Sequence, residues 1–236
     1  EESQQWKDNV LATRNLVQVA LEKKVQRFIF TSTGATLSYQ ETNENRKKKI
    51  NPPYVKTKRL AEIEVYAGVK KGLDAIVLHP IIVVGAYDYN SYSQIFINME
   101  KSPINFAFPG RIAFCHAQDV AKAHIQAFEK GKCGEHYVLG GTYATWKEAF
   151  QKIATKLGTK TKVRIAPQWL LKIASYIFVF VSIFTKKKPL LTPQLVNLLR
   201  DAADVTIEDK RKAKEELGYE SGSLDSMIND CYAWLL

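Results

Sequence analysis

The stretch NVLATRNLVQVALEKKVQRFIFTST, residues 9 to 33, decides the fold. Its apolar residues Val10, Leu11, Leu16, Val17, Val19, Ala20 and Leu21 recur at helical spacing, and the VQRFIFTST that follows reads as a short buried strand. A helix feeding a buried strand predicts a parallel sheet, because parallel neighbours need a crossover between them. The alternation continues outward. Residues 40 to 51 form a polar loop, Pro52 and Pro53 open a helix to about Lys71, and DAIVLHPIIVVG (74–85) is a second near-continuous apolar strand ending in glycine. After an irregular stretch, QDVAKAHIQAFEKG (118–131) reads as a helix capped by Asp119, followed by the strand EHYVLGG (135–141). From Thr142 helices dominate, broken at Pro167 and Pro189. This order predicts an α/β class with a doubly wound parallel sheet.

The 236 residues allow one large domain or one and a half smaller ones. Apolar and charged fractions of 46% and 25% are those of a soluble globular protein and exclude disorder and fibrous folds. A net charge of +10 and a pI near 9.4 invite a nucleic-acid reading. The lysines are scattered, however, with short clusters at Arg46 to Lys49 and Lys186 to Lys188 that read as solvated surface, so no nucleic-acid partner is expected. Cys115, Cys133 and Cys231 are odd in number and far apart, which fits a reducing, cytoplasmic setting without disulfides, and Cys115 and Cys133 are expected to be buried or half-buried thiols. No zinc spacing occurs. Asp119 is better used as a helix cap than as a metal ligand with His116 and His124, and no metal is expected.

Candidate chemistry centres on NPPYVKTKRLAE (51–62). Tyr54 and Lys58 lie four apart, which places both on one helix face. The bare pattern recurs at Tyr66 with Lys70 and at Tyr143 with Lys147, so setting must discriminate. At Tyr54 the setting is a strand that ends in Phe30, Thr31, Ser32 and Thr33, where the hydroxyl of Thr33 or its neighbour Ser32 can meet a substrate oxygen. A protonated lysine beside a phenol is expected to lower its pKa from about 10 and make it a usable acid or base.

With these residues the chain resembles the extended branch of the short-chain dehydrogenase/reductase superfamily, which includes NAD-dependent epimerases, dehydratases and dihydroflavonol-reductase-like proteins. The resemblance rests on NVLATRNL (9–16), FTSTGA (30–35), PPYVKTKRLAE (52–62), HPIIVVGAYD (79–88), FCHAQDVAKAHIQAFEKGKCGEHYVLGG (114–141) and KAKEELGY (212–219), in that order. It implies Tyr54 as acid/base, Lys58 as holder of the nicotinamide ribose, and Thr33 in a position that is usually serine. It implies Ser32, Tyr54, Lys58, Pro80, Ile81, Ile82 and Val83 around an NAD or NADP cofactor, with Asn9 supporting the active-site helix and its water relay. His79 stands where an arginine is common and Ala86 where a proline is common, which leaves the substrate open. The implied fold is a Rossmann-type sheet, residues 1–140, with a mainly helical substrate lobe, residues 141–236, interleaved with parts of 86–118. No glycine precedes Gly34, so the Gly-rich turn that seats a pyrophosphate is absent from this sequence, and the Rossmann portion is expected to be N-terminally incomplete.

The resemblance implies hydride exchange with a secondary alcohol or ketone, in a nucleotide-sugar, flavonol-like or sterol-like substrate. A membrane-associated hydroxysteroid-dehydrogenase-like enzyme and a non-catalytic nucleotide-sensing scaffold are the alternatives. A homodimer is left open. PQWLLKIASYIFVFVSIFTKKKP (167–189) bears on the choice. Its stretch from Ile173 to Thr185 has no charge and is short for a span of ~20 residues. A helix packed in the substrate lobe is the expectation, and peripheral membrane contact through 169–188 the alternative.

Overall fold

The computed structural model describes residues 3–38, 53–89, 92, 94–101, 106–160, 162–185, 189, 191–202 and 210–235. In chain order, α1 (Gln4–Trp6) runs through a π-helical turn (Lys7–Leu11) into α2 (Ala12–Glu22). There follow β1 (Phe28–Thr31), α3 (Ala35–Ser38), α4 (Pro53–Lys70), β2 (Ala75–Pro80), β3 (Ile82–Val84), α5 (Gln94–Lys101), β4 (Phe106–Ala107), β5 (Arg111–His116) and α6 (Ala117–Lys130). The remainder comprises β6 (His136–Leu139), β7 (Thr142–Thr145), α7 (Trp146–Lys156), β8 (Arg164–Ile165), α8 (Gln168–Thr185), α9 (Pro193–Ala202), α10 (Lys210–Lys212) with a π-helical turn (Ala213–Leu217), and α11 (Leu224–Leu235). The polar loop 40–51, Pro52 and the basic runs 46–49 and 186–188 lie outside the described residues.

The chain forms two compact units. The first comprises residues 1–81, 118–141 and 206–221. Its sheet has the order β1-β2-β6 and is parallel throughout, with Phe28 beside Ala75, Thr31 beside Leu78, and Pro80 beside Leu139. β2 is the central strand and every residue of it is buried, which is why it reads as an unbroken apolar run. β1 lies at the edge of this sheet among the described residues, and it is half-buried instead of fully buried as its composition suggests. Behind the sheet, α2 packs on α4 through Val17, Ala20 and Val65. The helices meet at Gly68, where a Cβ would come within 2.6 Å of Val17 Cγ1. Arg14 closes the same pair outside by donating to Glu64 Oε1 at 2.7 Å.

The second unit comprises residues 82–117, 142–205 and 222–236. β3 pairs in parallel with β5, and β5 pairs antiparallel with β7. DAIVLHPIIVVG is therefore two strands and not one: Pro80 ends pairing with Leu139 in one sheet, and Ile82 begins pairing with Phe114 in another. The core of this unit is Trp146, fully buried and edge-on to Phe108, Phe114 and Phe150. Thr145 and Glu148 form a reciprocal capping box that starts α7 at the end of β7.

Two local expectations are corrected. α6 begins at Ala117, so Asp119 sits in its first turn, where its charge suits the helix dipole, and not at the cap. Cys133 is exposed, whereas Cys115 and Cys231 are buried.

Candidate active site

The first unit gathers Ser32, Thr33, Tyr54, Lys58, Pro80 and Ile81. Ile82 and Val83 belong to the second. Strand geometry fixes the first group. β1 ends at Thr31, and Ser32 N–H still donates to Leu78 O at 2.7 Å, so the chain stays registered against β2 beyond the strand. Gly34 N–H then donates to Pro80 O at 2.8 Å, and a Cβ there would stand 3.0 Å from Ile81 Cγ1. The short α3 follows, and its start places the Thr33 hydroxyl to accept from Ala35 N–H at 3.3 Å.

α4 brings its side chains to this corner at intervals of four. The Tyr54 phenol faces the Thr33 side chain, which acts to lower its pKa. Tyr54 is 38% exposed, yet burial raises the phenol pKa above the ordinary value, with the neighbouring Thr33 offsetting part of the rise. The expected depression by Lys58 is not what this arrangement produces. The Lys58 ammonium turns to the strand, donating to Thr31 O at 2.7 Å and lying 4.7 Å from the centroid of the Phe30 ring. Burial lowers the Lys58 pKa, and the negative charge of Glu62 opposes that fall.

Glu62 is the residue that sequence reasoning missed. It stands one turn beyond Lys58, and its carboxylate accepts from the buried Ser32 hydroxyl through Oε1. The same oxygen lies 3.7 Å from His79 Nδ1. His79 is 1% exposed on β2. Its Nδ1 is 3.2 Å from both Thr33 O and Thr36 Oγ1; because a carbonyl only accepts, Nδ1 carries a proton. The continued spacing of four, Tyr54 to Lys58 to Glu62, was the signal that could have exposed it. Ser32 is accordingly held by Glu62, whereas Thr33 is the hydroxyl beside Tyr54.

Asn9 lies in the π-helical turn and donates from Nδ2 to Thr57 Oγ1 at 2.9 Å. Thr57 passes its own proton to Tyr54 O at 3.0 Å, so Asn9 braces the first turn of α4 from the neighbouring helix. The displaced carbonyl of Asn9 accepts from Thr13 Oγ1 at 2.6 Å. His124 Nδ1 donates to Val120 O at 2.8 Å, and its Nε2 meets the Thr31 hydroxyl at 2.7 Å. Of the other two Tyr-x-x-x-Lys pairs, Tyr66 with Lys70 lies further along α4, and Tyr143 is on β7, where Arg111 covers its ring.

The profile of the NAD dependent epimerase/dehydratase family matches residues 1–140. Sterol demethylase protein B of Methylococcus capsulatus is 25% identical over 236 residues, spanning 96% of this chain and 71% of that protein. Among solved structures, gox2253 superposes with a TM-score of 0.76 at 26% identity, covering 98% of this chain and 72% of that one. UDP-glucuronic acid 4-epimerase from Bacillus cereus, solved in complex with NAD, gives a TM-score of 0.68 at 17% identity, over all of this chain and 71% of that one. At that identity the second likeness speaks for the fold.

Proposed function

The chain belongs to the NAD-dependent epimerase/dehydratase family, and from that membership we propose that it serves an NAD(P)-dependent oxidoreductase or epimerase acting on a secondary alcohol or ketone. One observation carries the reading: the Tyr54 phenol and the Thr33 side chain come close enough for Thr33 to act on the phenol pKa, with Lys58 one turn along the same helix. In this reading residues 1–140 hold the cofactor and residues 141–236, with parts of 86–118, hold the substrate.

The residues present fit the nicotinamide-ribose end of such a cofactor. An ammonium has three N–H donors, and Lys58 uses one on Thr31 O, which fixes it and leaves two for ribose hydroxyls. Tyr54, Lys58, Ser32 and the backbone of Pro80 and Ile81 would line that end. The cofactor supplies a hydride acceptor or donor at its nicotinamide ring. Tyr54 supplies the proton. Its raised pKa keeps the phenol protonated near neutral pH, ready to donate to a carbonyl oxygen that is becoming an alcohol. Thr33 holds that oxygen by a second hydrogen bond. In the reverse direction Tyr54 acts from its phenolate, a form whose population Thr33 raises.

A sterol-like substrate is the second reading within the same chemistry, favoured by the apolar residues that α8 leaves exposed. The test is cofactor-dependent turnover by the full-length protein on nucleotide sugars, flavonols and sterols, with Tyr54→Phe alongside. Loss of turnover with cofactor binding retained supports the proposal. A Tyr54→Phe protein as active as its parent refutes it.

A further inference from the structure

Helix α8 is turned inside out. It was expected to pack its apolar residues into the second unit, yet the residue it buries completely is Ser175. At 100° per residue, Leu171, Ser175, Val179 and Ser182 form one stripe, and with Leu170 and Ala174 beside it these are its buried or half-buried positions. The opposite stripe is Trp169, Ile173, Tyr176, Ile177, Phe180 and Phe184, each more than half exposed, with Phe184 at 73%. Among the described residues this is the one helix long and apolar enough to cross a membrane. A water-facing helix puts its large apolar residues inward and its serines outward, so the opposite arrangement needs an apolar surrounding.

Two independent observations say what surrounds it. First, each serine and threonine hydroxyl of the helix is satisfied within it: Ser175 donates to Lys172 O at 2.7 Å, Ser182 to Val179 O at 2.6 Å and Thr185 to Val181 O at 3.1 Å. Such back-bonding satisfies polar side chains where no solvent can. Second, residues 149 to 200 carry ten of the 34 lysines and arginines and none of the 24 aspartates and glutamates. The rest of the chain is balanced at 24 of each, so the segment containing α8 holds the whole net charge of +10. Lys160, Lys162 and Arg164 precede the helix, and Lys186, Lys187 and Lys188 follow it in sequence. Cations on both flanks of an apolar helix match an anionic bilayer surface, with the helix at the acyl boundary and the lysines among headgroups.

We infer that α8 docks the protein in the plane of an anionic membrane, its Trp169–Phe184 stripe entering the lipid. It lies in the plane instead of spanning because its Ser175 stripe is closed off within its own unit, where α8 packs against α9. This docking is independent of the hydride chemistry.

The experiment is flotation of the full-length protein with vesicles of phosphatidylcholine alone and of phosphatidylcholine with phosphatidylserine. Salt-sensitive binding to the anionic vesicles is expected, with a blue shift of tryptophan emission that Trp169→Phe abolishes. Replacing Lys186, Lys187 and Lys188 by Gln should lower partition roughly a hundred-fold, from about 1 kcal/mol per cation near the surface. Phe180→Ser with Phe184→Ser should also release it, and because both residues are exposed, an unchanged melting profile will show the fold intact. Alkaline carbonate should strip the bound protein. Equal binding to both vesicle types, no binding to either, or Phe variants that alter self-association without altering flotation would overturn the inference. Resistance to carbonate would overturn the in-plane placement.

Discussion

The Ser32 hydroxyl donates its hydrogen bond to the Glu62 carboxylate, tying the end of β1 to the third turn of α4. Ser32 is buried, so its hydroxyl has no water to take the place of the Glu62 carboxylate. Glu62→Ala leaves a buried hydroxyl unsatisfied and should cost about 1–3 kcal/mol of stability. Urea unfolding measures it; an unchanged midpoint and slope would show that the bond contributes nothing.

The charge of Glu62 has a separate effect. It opposes the fall in Lys58 pKa that burial causes. Glu62→Gln keeps an acceptor for Ser32 and removes the charge, so Lys58 should titrate lower than in the parent. Between its folded pKa and 10.5 the unfolded chain binds the extra proton, and stability from this group rises with pH in that window. Amine-reactive labelling of Lys58 as a function of pH will reveal the shift, and a curve moved upward would contradict it.

Tyr54 should titrate late. Its folded pKa lies above the ordinary 10.0, so from pH 10 upward the folded chain holds a proton that the unfolded chain has released, and stability falls as pH climbs. Burial raises Tyr66 and Tyr137 as well. Subtracting the tyrosinate absorbance of Tyr54→Phe from that of the parent isolates the Tyr54 step. A step at or below the free-tyrosine range would refute the assignment. In the full-length protein with cofactor and substrate, the same variant should lose roughly 10²–10⁴-fold in turnover.

Asn9→Ala removes the donor to Thr57 that braces the start of α4. The loss should be about 1 kcal/mol, the usual net worth of such a bond. Thermal unfolding checks it, and Thr57→Val should show non-additivity with it in a double-mutant cycle.

Gly68→Ala tests the helix pairing. A methyl at 2.6 Å from Val17 Cγ1 and 3.1 Å from Leu73 Cδ2 forces α2 and α4 apart and should destabilise by about 1–3 kcal/mol. A companion Val17→Ala, which removes the obstructing methyls, should recover part of that loss.

Periodicity and residue type were enough to specify the α/β class, a parallel sheet that holds both residues 28–31 and 75–80, and the face shared by Tyr54 and Lys58, because these depend on local hydrophobic spacing and helix geometry alone. The tertiary structure decided what spacing cannot encode. Whether Lys58 meets the phenol or a strand carbonyl depends on where β1 ends, and it meets Thr31 O. The direction of the Tyr54 shift depends on how much water the folded corner excludes. The role of Glu62 needed a Ser32 hydroxyl brought from 30 residues away. Ile81 divides one apolar run between two sheets because each half finds a different partner strand. The apolarity of α8 was plain in its composition, but which stripe faced inward was not: a helix without charge from Ile173 to Thr185 has no local reason to choose, and the packing that buried Ser175 chose for it.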